Sequence, residues 1–187
     1  MLELATRPKI NGIDLEAIDD MVGRVRDNPA RGVAGFRVTT EWKGQTRSET
    51  NVESFTCGGE AVPRSFTIVS DEPRELLGCD AAPNPQELLL SALNACMIVG
   101  YVVQAALRGI ILEDCRIETE SKLDLRGFLG LSDQVPPGYT NVDYEVRIKG
   151  DGSPADFEEI HQTVMKTSPN YFNMSRPIKM NGSLRVG

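Results

Sequence analysis

The chain has 187 residues, 40% of them hydrophobic and 25% charged, and its formal net charge is −7. This composition is typical of a globular protein with one sizeable core, and the negative charge argues against nucleic acid or an anionic membrane as a partner. The first residues lack the apolar core of a signal peptide, so we expect a cytoplasmic protein whose four cysteines are thiols. The single histidine and the wide cysteine spacing predict no metal site, and no cofactor is expected.

The N-terminal half predicts one helix followed by short strands. Residues 13–26 carry one apolar stripe and predict an amphipathic helix, within an N-terminal helical extension over residues 1–32. Segments rich in β-branched and aromatic residues then predict strands at 33–42, 46–55 and 66–69. The segment SDEPRELLGCDAAPNP, which is rich in turn residues, forms a loop before the next helix.

A long apolar helix is predicted from residue 85 to residue 108. Asn84 and Glu87 suit a capping box around Pro85, and Gly109 suits the other end. Residues 88–107 are uncharged and apolar around most of the circumference, which predicts burial on nearly every side. A membrane span of this length is conceivable, but a core helix is favoured because four residues interrupt the run: Ser91, Asn94, Gly100 and Gln104.

The C-terminal half predicts an antiparallel pair of strands and one more helix. Residues 110–125 and 142–149 alternate between apolar and charged side chains, as half-buried strands do, and a long loop separates them. Residues 153–167 predict a helix, and 177–186 a last strand. The strands and helices are segregated along one domain, residues 1–187, which predicts an α+β fold with a mostly antiparallel sheet.

Cys96, near the middle of the long helix, has two interpretations. A free cysteine in a buried helix is commonly a small core residue, and burial works against thiol reactivity. A reactive Cys96 would need a nearby cation or hydrogen-bond donor to hold its thiolate. Cys115 would lie level with Cys96 if the following strand returns along the helix, whereas Cys57 and Cys79 lie in loop segments. His161 is more typical of a partly exposed helix residue than of a catalytic one.

Several motifs in one order make the chain resemble the OsmC/Ohr family of thiol peroxidases. They are DEP–LLG–D–APNPQELLLSALNAC, then AALRGI, DLRGFLGL, a PGY loop and a late helix that ends in SP. The resemblance runs from about residue 36 to the C-terminus. It implies an α+β fold, in an intertwined homodimer whose long central helices pack on sheets shared by both chains. It also implies that Cys96 is the peroxidatic cysteine, acting on organic hydroperoxides in oxidative-stress defence.

The other site residues follow the family pattern only in part. The family's catalytic arginine comes from an early strand or the turn after it, where Arg47 is the best candidate and Arg37 the alternative. The glutamate that usually orients this arginine, ten residues before the reactive cysteine, is replaced by Gln86. The second, resolving cysteine normally precedes a proline at the end of the late helix, and Ser168 occupies that position. A serine cannot form a disulfide, so turnover would need an external thiol reductant.

Two functions remain open at this point. The first is a peroxidase with Cys96 as nucleophile, Arg47 or Arg37 as activator and Gln86 as orienter. The second is a non-catalytic homodimer that keeps the fold and binds a small apolar or thiol-bearing ligand. Cys96 and the motifs around it favour the first function, and the replaced glutamate and cysteine favour the second.

Overall fold

The computed structural model describes residues 9–187, and the chain divides into two compact units, Met1–Ser91 and Ala92–Gly187. The first eight residues of the predicted N-terminal extension lie outside the described residues. The boundary between the units falls within the long apolar helix. A single domain over residues 1–187 stays a prediction.

The first unit contains a helix and an antiparallel sheet. Helix α1 (Leu15–Asp27) begins at Asp14, whose side chain accepts a hydrogen bond from the Ala17 N–H. Strand β3 lies at the centre of the sheet and pairs with each of the other three strands. The strands are β1 (Ala34–Phe36), β2 (Thr39–Trp42), β3 (Ser48–Cys57) and β4 (Glu60–Ser70).

Two strand predictions for this unit are corrected by the structure. The strand predicted over 33–42 is divided into β1 and β2, and the strand predicted over 66–69 is the end of the much longer β4. Gly58 and Gly59 adopt φ values of 59° and 87° and form the turn that returns β4 along β3. Pro63, in the first half of β4, interrupts the strand pattern in the sequence, and a register shift occurs opposite it between Val52 and Ser54.

Asp71 organises the loop that precedes the long helix. Its side chain is 1% exposed. One carboxylate oxygen accepts hydrogen bonds from the Thr46 hydroxyl (2.7 Å) and the Glu72 N–H (2.9 Å), and the other accepts from the Cys79 N–H (3.1 Å) and the Ala81 N–H (3.2 Å). The bond from Thr46 is the main cause that lowers the pKa of Asp71 from its usual value. The DEP motif therefore supplies the acceptor that holds this loop together.

Helix α2 (Pro85–Leu107) is the predicted long helix, and its predicted capping box is confirmed. Asn84 Oδ1 accepts from the Glu87 N–H at 2.9 Å, and the Asn84 N–H donates to Glu87 Oε2 at 2.8 Å. The prediction of burial on nearly every side is wrong for this chain, since only one face is covered. The buried residues are Leu93, Met97, Tyr101, Ala105 and Ala106, whereas Leu89, Val99 and Leu107 are exposed.

The second unit packs helices on a two-stranded antiparallel sheet. Its elements after α2 are β5 (Leu112–Glu120), α3 (Leu125–Phe128), β6 (Asp143–Gly150), α4 (Pro154–Thr167) and α5 (Pro169–Ser175). The core combines α2 residues with Ile160 and Val164 of α4, and the inward side chains of β5 and β6 pack against it. Gly100 permits α4 to lie close to α2, because a Cβ there would be 3.1 Å from a Val164 methyl group.

The predicted last strand, 177–186, is not formed in the structure. Residues 176–187 are exposed and have no regular secondary structure. Their alternating pattern suits a strand, but a strand requires a partner for its backbone groups, and no strand among residues 9–187 pairs with them. The predicted fold class is nevertheless confirmed, because helices and antiparallel sheets make up both units.

Candidate active site

Cys96 and Ser168 lie together in the second unit, although 72 residues separate them in sequence. Cys96 is half-buried on α2, and Ser168 is 4% exposed between α4 and α5. The Ser168 hydroxyl donates a hydrogen bond to the Cys96 sulfur at 3.3 Å. A serine at the end of the late helix thus contacts the candidate nucleophile directly.

Ser168 is held in place by capping two helices. Its backbone N–H donates to the Val164 carbonyl at 2.8 Å and closes α4. Its side chain accepts a hydrogen bond from the Tyr171 N–H at 3.4 Å and opens α5, with Pro169 at the first helical position. The sequence predicted the end of α4 here but not the second helix.

Asn170 is a site residue that sequence reasoning missed. Its side-chain amide donates a hydrogen bond of 2.8 Å to the carbonyl of Ala92. In an α-helix that carbonyl also faces the backbone N–H of residue 96. Asn170 therefore fixes the start of α5 one turn before Cys96. Its position directly after Ser168-Pro169, in a motif already singled out, was the signal that could have identified it.

Asn94 fixes the position of β5 beside the Cys96 segment of α2. Its side-chain oxygen accepts from the Thr119 hydroxyl at 2.6 Å, and its amide donates to the Ile117 carbonyl at 3.4 Å. Cys115, further along β5, interacts electrostatically with Tyr101, five residues beyond Cys96. A position of Cys115 level with Cys96 stays a prediction.

The thiols of the four cysteines are all free. Cys57 and Cys79 are exposed, whereas Cys96 and Cys115 are half-buried. Burial raises the pKa of Cys115 to about 11, so this thiol is almost entirely protonated at neutral pH. Cys115 is thus poorly suited to act as a nucleophile.

His161 has a more specific environment than the sequence predicted. Its Nδ1 lies 2.5 Å from the hydroxyl of Tyr101, and the two rings are stacked with centroids 6.1 Å apart. Both residues line a cavity of about 580 Å³ that Tyr144 and Phe157 also line. Burial strongly raises the pKa of Tyr101, so its hydroxyl remains protonated across the physiological range.

The other predicted site residues belong to the first unit. Arg47 pairs with Glu49 at 2.9 Å, Arg37 is exposed between β1 and β2, and Gln86 is half-buried in the first turn of α2. Their roles at the site stay predictions. Among residues 9–187, no group of three or more histidine, cysteine or acidic residues could hold a metal ion.

The model of the OsmC-like protein family matches residues 78–182, more than half of the chain, and the chain belongs to this family. Among curated proteins, no sequence matches significantly. The OsmC-like protein from Mycoplasma pneumoniae has a similar fold, with a TM-score of 0.56 and 15% identity over 75% of this chain and 86% of that chain.

Two further solved structures extend the comparison. An OsmC-like protein from Vibrio cholerae has a TM-score of 0.52 and 14% identity, over 73% of this chain and 91% of that one. An OsmC-like hydroperoxide resistance protein from Jannaschia sp. CCS1 is a weaker match, with a TM-score of 0.45 and 14% identity over 83% and 94% of the two chains. The first of these supports the same fold.

Helix α2 is long and apolar enough to cross a membrane by length and composition. The same test is passed by core helices of soluble proteins. One face of α2 is buried in the second unit through Leu93, Met97, Tyr101, Ala105 and Ala106.

Proposed function

We propose that the protein is a thiol-dependent peroxidase that reduces organic hydroperoxides through Cys96. The contact of 3.3 Å between Cys96 and Ser168 is the observation that supports this most. It brings the candidate nucleophile together with the residue at the position where the family carries its second cysteine. Cytoplasmic peroxide defence is the corresponding biological role.

The reaction begins with attack of the Cys96 thiolate on the outer peroxide oxygen. A sulfur–oxygen bond forms, the oxygen–oxygen bond breaks, and the alkoxide leaves and takes a proton from solvent as the alcohol. Cys96 is then a sulfenic acid. An external thiol condenses with it, releasing water and forming a mixed disulfide, and a second thiol displaces the first and restores Cys96. The external thiol is required because Ser168 cannot form a disulfide.

Arg47 is the proposed activator, with Arg37 as the alternative, and Gln86 is the proposed orienter. Arg47 now pairs with Glu49, but the two side chains are 41% and 32% exposed. A pair this exposed contributes little, about 0–1 kcal/mol. The guanidinium is therefore held only weakly by Glu49. The proposal includes a homodimer, because α2 leaves an apolar face uncovered in one chain.

The experiment is limited oxidation of the full-length protein with cumene hydroperoxide. A sulfenic-specific reagent traps the product, and peptide mass spectrometry locates it among the four cysteines. We expect labelling mainly at Cys96 and none at this site in Cys96→Ser. Faster oxidation of the exposed Cys57 or Cys79, with Cys96 unmodified, would contradict the proposal.

A second candidate is a non-catalytic homodimer that binds a small apolar or thiol-bearing ligand. The cavity of about 580 Å³ beside Tyr101 and His161 favours it, as do Gln86 and Ser168 in place of the family residues. The same oxidation experiment separates the two functions. Peroxide levels that consume a reference thiol but leave Cys96 reduced favour the binding protein.

A further inference from the structure

We propose that Ser168 stabilises the reactive form of Cys96 by donating its hydroxyl proton to the Cys96 sulfur. The inference rests on the proposed function, because it names a further residue of the same centre. Replacement of the second cysteine by serine would then have given the site a hydrogen-bond donor in exchange for a disulfide partner. Ser168 contacts the reacting atom, at 3.3 Å, and is a catalytic residue in this sense.

The direction of the hydrogen bond follows from the other partner of Ser168. The hydroxyl oxygen already accepts from the Tyr171 N–H at 3.4 Å, as the N-cap of α5. Its proton is free to point away from that N–H, toward the sulfur at 3.3 Å. A thiolate can only accept a hydrogen bond, and donation to a charged form favours that form.

The surrounding structure holds the donor rigidly. Ser168 closes α4 through its bond to Val164, a residue that is 0% exposed. Asn170 ties the start of α5 to Ala92, one turn before Cys96 on α2. The Ser168 hydroxyl, at the start of α5, and the Cys96 sulfur, on α2, are thus held together, because Asn170 bonds these two helices next to the contact. A preorganised donor loses little conformational freedom when charge develops on its acceptor.

The same contact also suits the oxidised form of Cys96. After oxidation, the same hydroxyl can donate to the sulfenate oxygen on Cys96. The donor would therefore assist both the attack on peroxide and the survival of the oxidised centre until a thiol arrives.

The test is the pH profile of Cys96 alkylation by iodoacetamide, resolved by peptide mass spectrometry in the otherwise unchanged chain. We expect Ser168→Ala to move the midpoint to higher pH and to slow alkylation at neutral pH by about tenfold, which corresponds to one pH unit. Ser168→Thr keeps a hydroxyl and a helix cap, so it should retain the wild-type midpoint. An unchanged midpoint in a folded Ser168→Ala protein overturns the proposal.

Two further variants separate the donor role from a structural one. Ser175→Ala removes a hydroxyl of α5 that donates to the Phe172 carbonyl at 3.4 Å, so its midpoint should stay that of wild type. Ser168→Gly removes the donor at a small cost to the helix cap, so it should move the midpoint upward even if Ser168→Ala fails to fold. Equal shifts in Ser175→Ala, or none in Ser168→Gly, would overturn the proposal. Alkylation uses no peroxide, so this result is independent of whether Cys96 reduces hydroperoxides.

Discussion

The hydroxyl of Tyr101 on α2 and Nδ1 of His161 on α4 lie 2.5 Å apart in the second unit, where Tyr101 is 1% exposed and His161 is half-buried. Each is the hydrogen-bond partner of the other. We expect Tyr101→Phe to leave the imidazole nitrogen without this partner and to lower the free energy of unfolding by about 1–2 kcal/mol. Urea unfolding at neutral pH measures this change.

Tyr139→Phe is the matched control for this prediction. Tyr139 is half-buried in the loop before β6, and its hydroxyl makes no hydrogen bond to another residue in the described part of the chain. Its removal should change the free energy of unfolding by less than about 0.5 kcal/mol. Equal losses in the two variants would show that the bond between Tyr101 and His161 contributes nothing specific.

The raised pKa of the Cys115 thiol should reduce the stability of the fold at alkaline pH. Burial raises its pKa from an ordinary value of 9.0 to about 11 in the folded protein. Between these values the unfolded chain has released the proton that the folded chain keeps, so the free energy of unfolding falls as pH rises from about 9 to 11. Cys115→Val removes this titration. Its unfolding free energy should therefore fall less steeply across this window in urea titrations, and an identical slope would refute the assignment.

The sequence predicted correctly those features of the fold that are set by residues close together in the chain. The capping box of Asn84 and Glu87, the alternation in β5 and β6 and the end of α4 at Ser168 are all set by residues a few positions apart. The extent of β4 was missed, because its pairing with β3 overrides the irregular pattern around Pro63. The strand predicted over 177–186 failed because a strand depends on a partner that the pattern alone cannot supply.

The residues of the candidate site were likewise predicted only in part. Cys96 and Ser168 were singled out from the family pattern, but their contact depends on how α4 and α5 pack against α2. Asn170 was missed because its role requires the carbonyl of Ala92, 78 residues earlier, to be at hydrogen-bond distance. His161 is a partly exposed helix residue, as predicted, but nothing near it in sequence indicates its bond to the buried hydroxyl of Tyr101.

Asp71 predicts a loss of stability at acidic pH. Its pKa is lowered in the folded protein, first by the bond from Thr46, so its contribution is fully present above the ordinary value of 3.8. That contribution disappears as pH falls through the lowered folded value. Asp71→Asn should destabilise the fold at neutral pH. The new amide NH₂ is a donor, and it would either face the N–H groups of Cys79 and Ala81 or replace the oxygen that accepts from Thr46 and Glu72.

The acid dependence should also be weaker in Asp71→Asn than in wild type, as measured by thermal unfolding between pH 6 and about pH 3. Asp80→Asn is the control, because Asp80 is exposed and its φ of 56° suits asparagine. It should behave as wild type. An Asp71→Asn protein as stable as Asp80→Asn at neutral pH would contradict the role of Asp71 in the loop.

Gly100 and Gly23 give opposite predictions for the same substitution. Alanine is favoured over glycine within a helix by about 1 kcal/mol. Gly23 on α1 has no heavy atom within 4 Å of the position that a Cβ would occupy, so Gly23→Ala should be stabilising. At Gly100 the Cβ would lie 3.1 and 3.2 Å from two methyl groups of Val164, which is 0% exposed. Overpacking of this kind costs about 1–3 kcal/mol, so Gly100→Ala should be destabilising by about 1 kcal/mol overall. Urea unfolding of both variants tests the order.

The apolar outer face of α2 predicts that a second copy of the chain covers it. Val99 is 63% exposed and Leu107 is 47% exposed on this helix. Burial of one such side chain contributes about 1.5–3 kcal/mol, and 1.4 kcal/mol is a tenfold change in affinity. Val99→Glu should therefore weaken a homodimer by at least about tenfold, before the added cost of a buried charge. Size-exclusion chromatography with light scattering, over a range of protein concentrations, measures this change in dimer affinity.

Val33→Glu is the control for this prediction, since Val33 is similarly exposed (66%) in the segment between α1 and β1. It should leave the dimer intact, whereas a wild-type protein that is a folded monomer at micromolar concentration would exclude the dimer altogether.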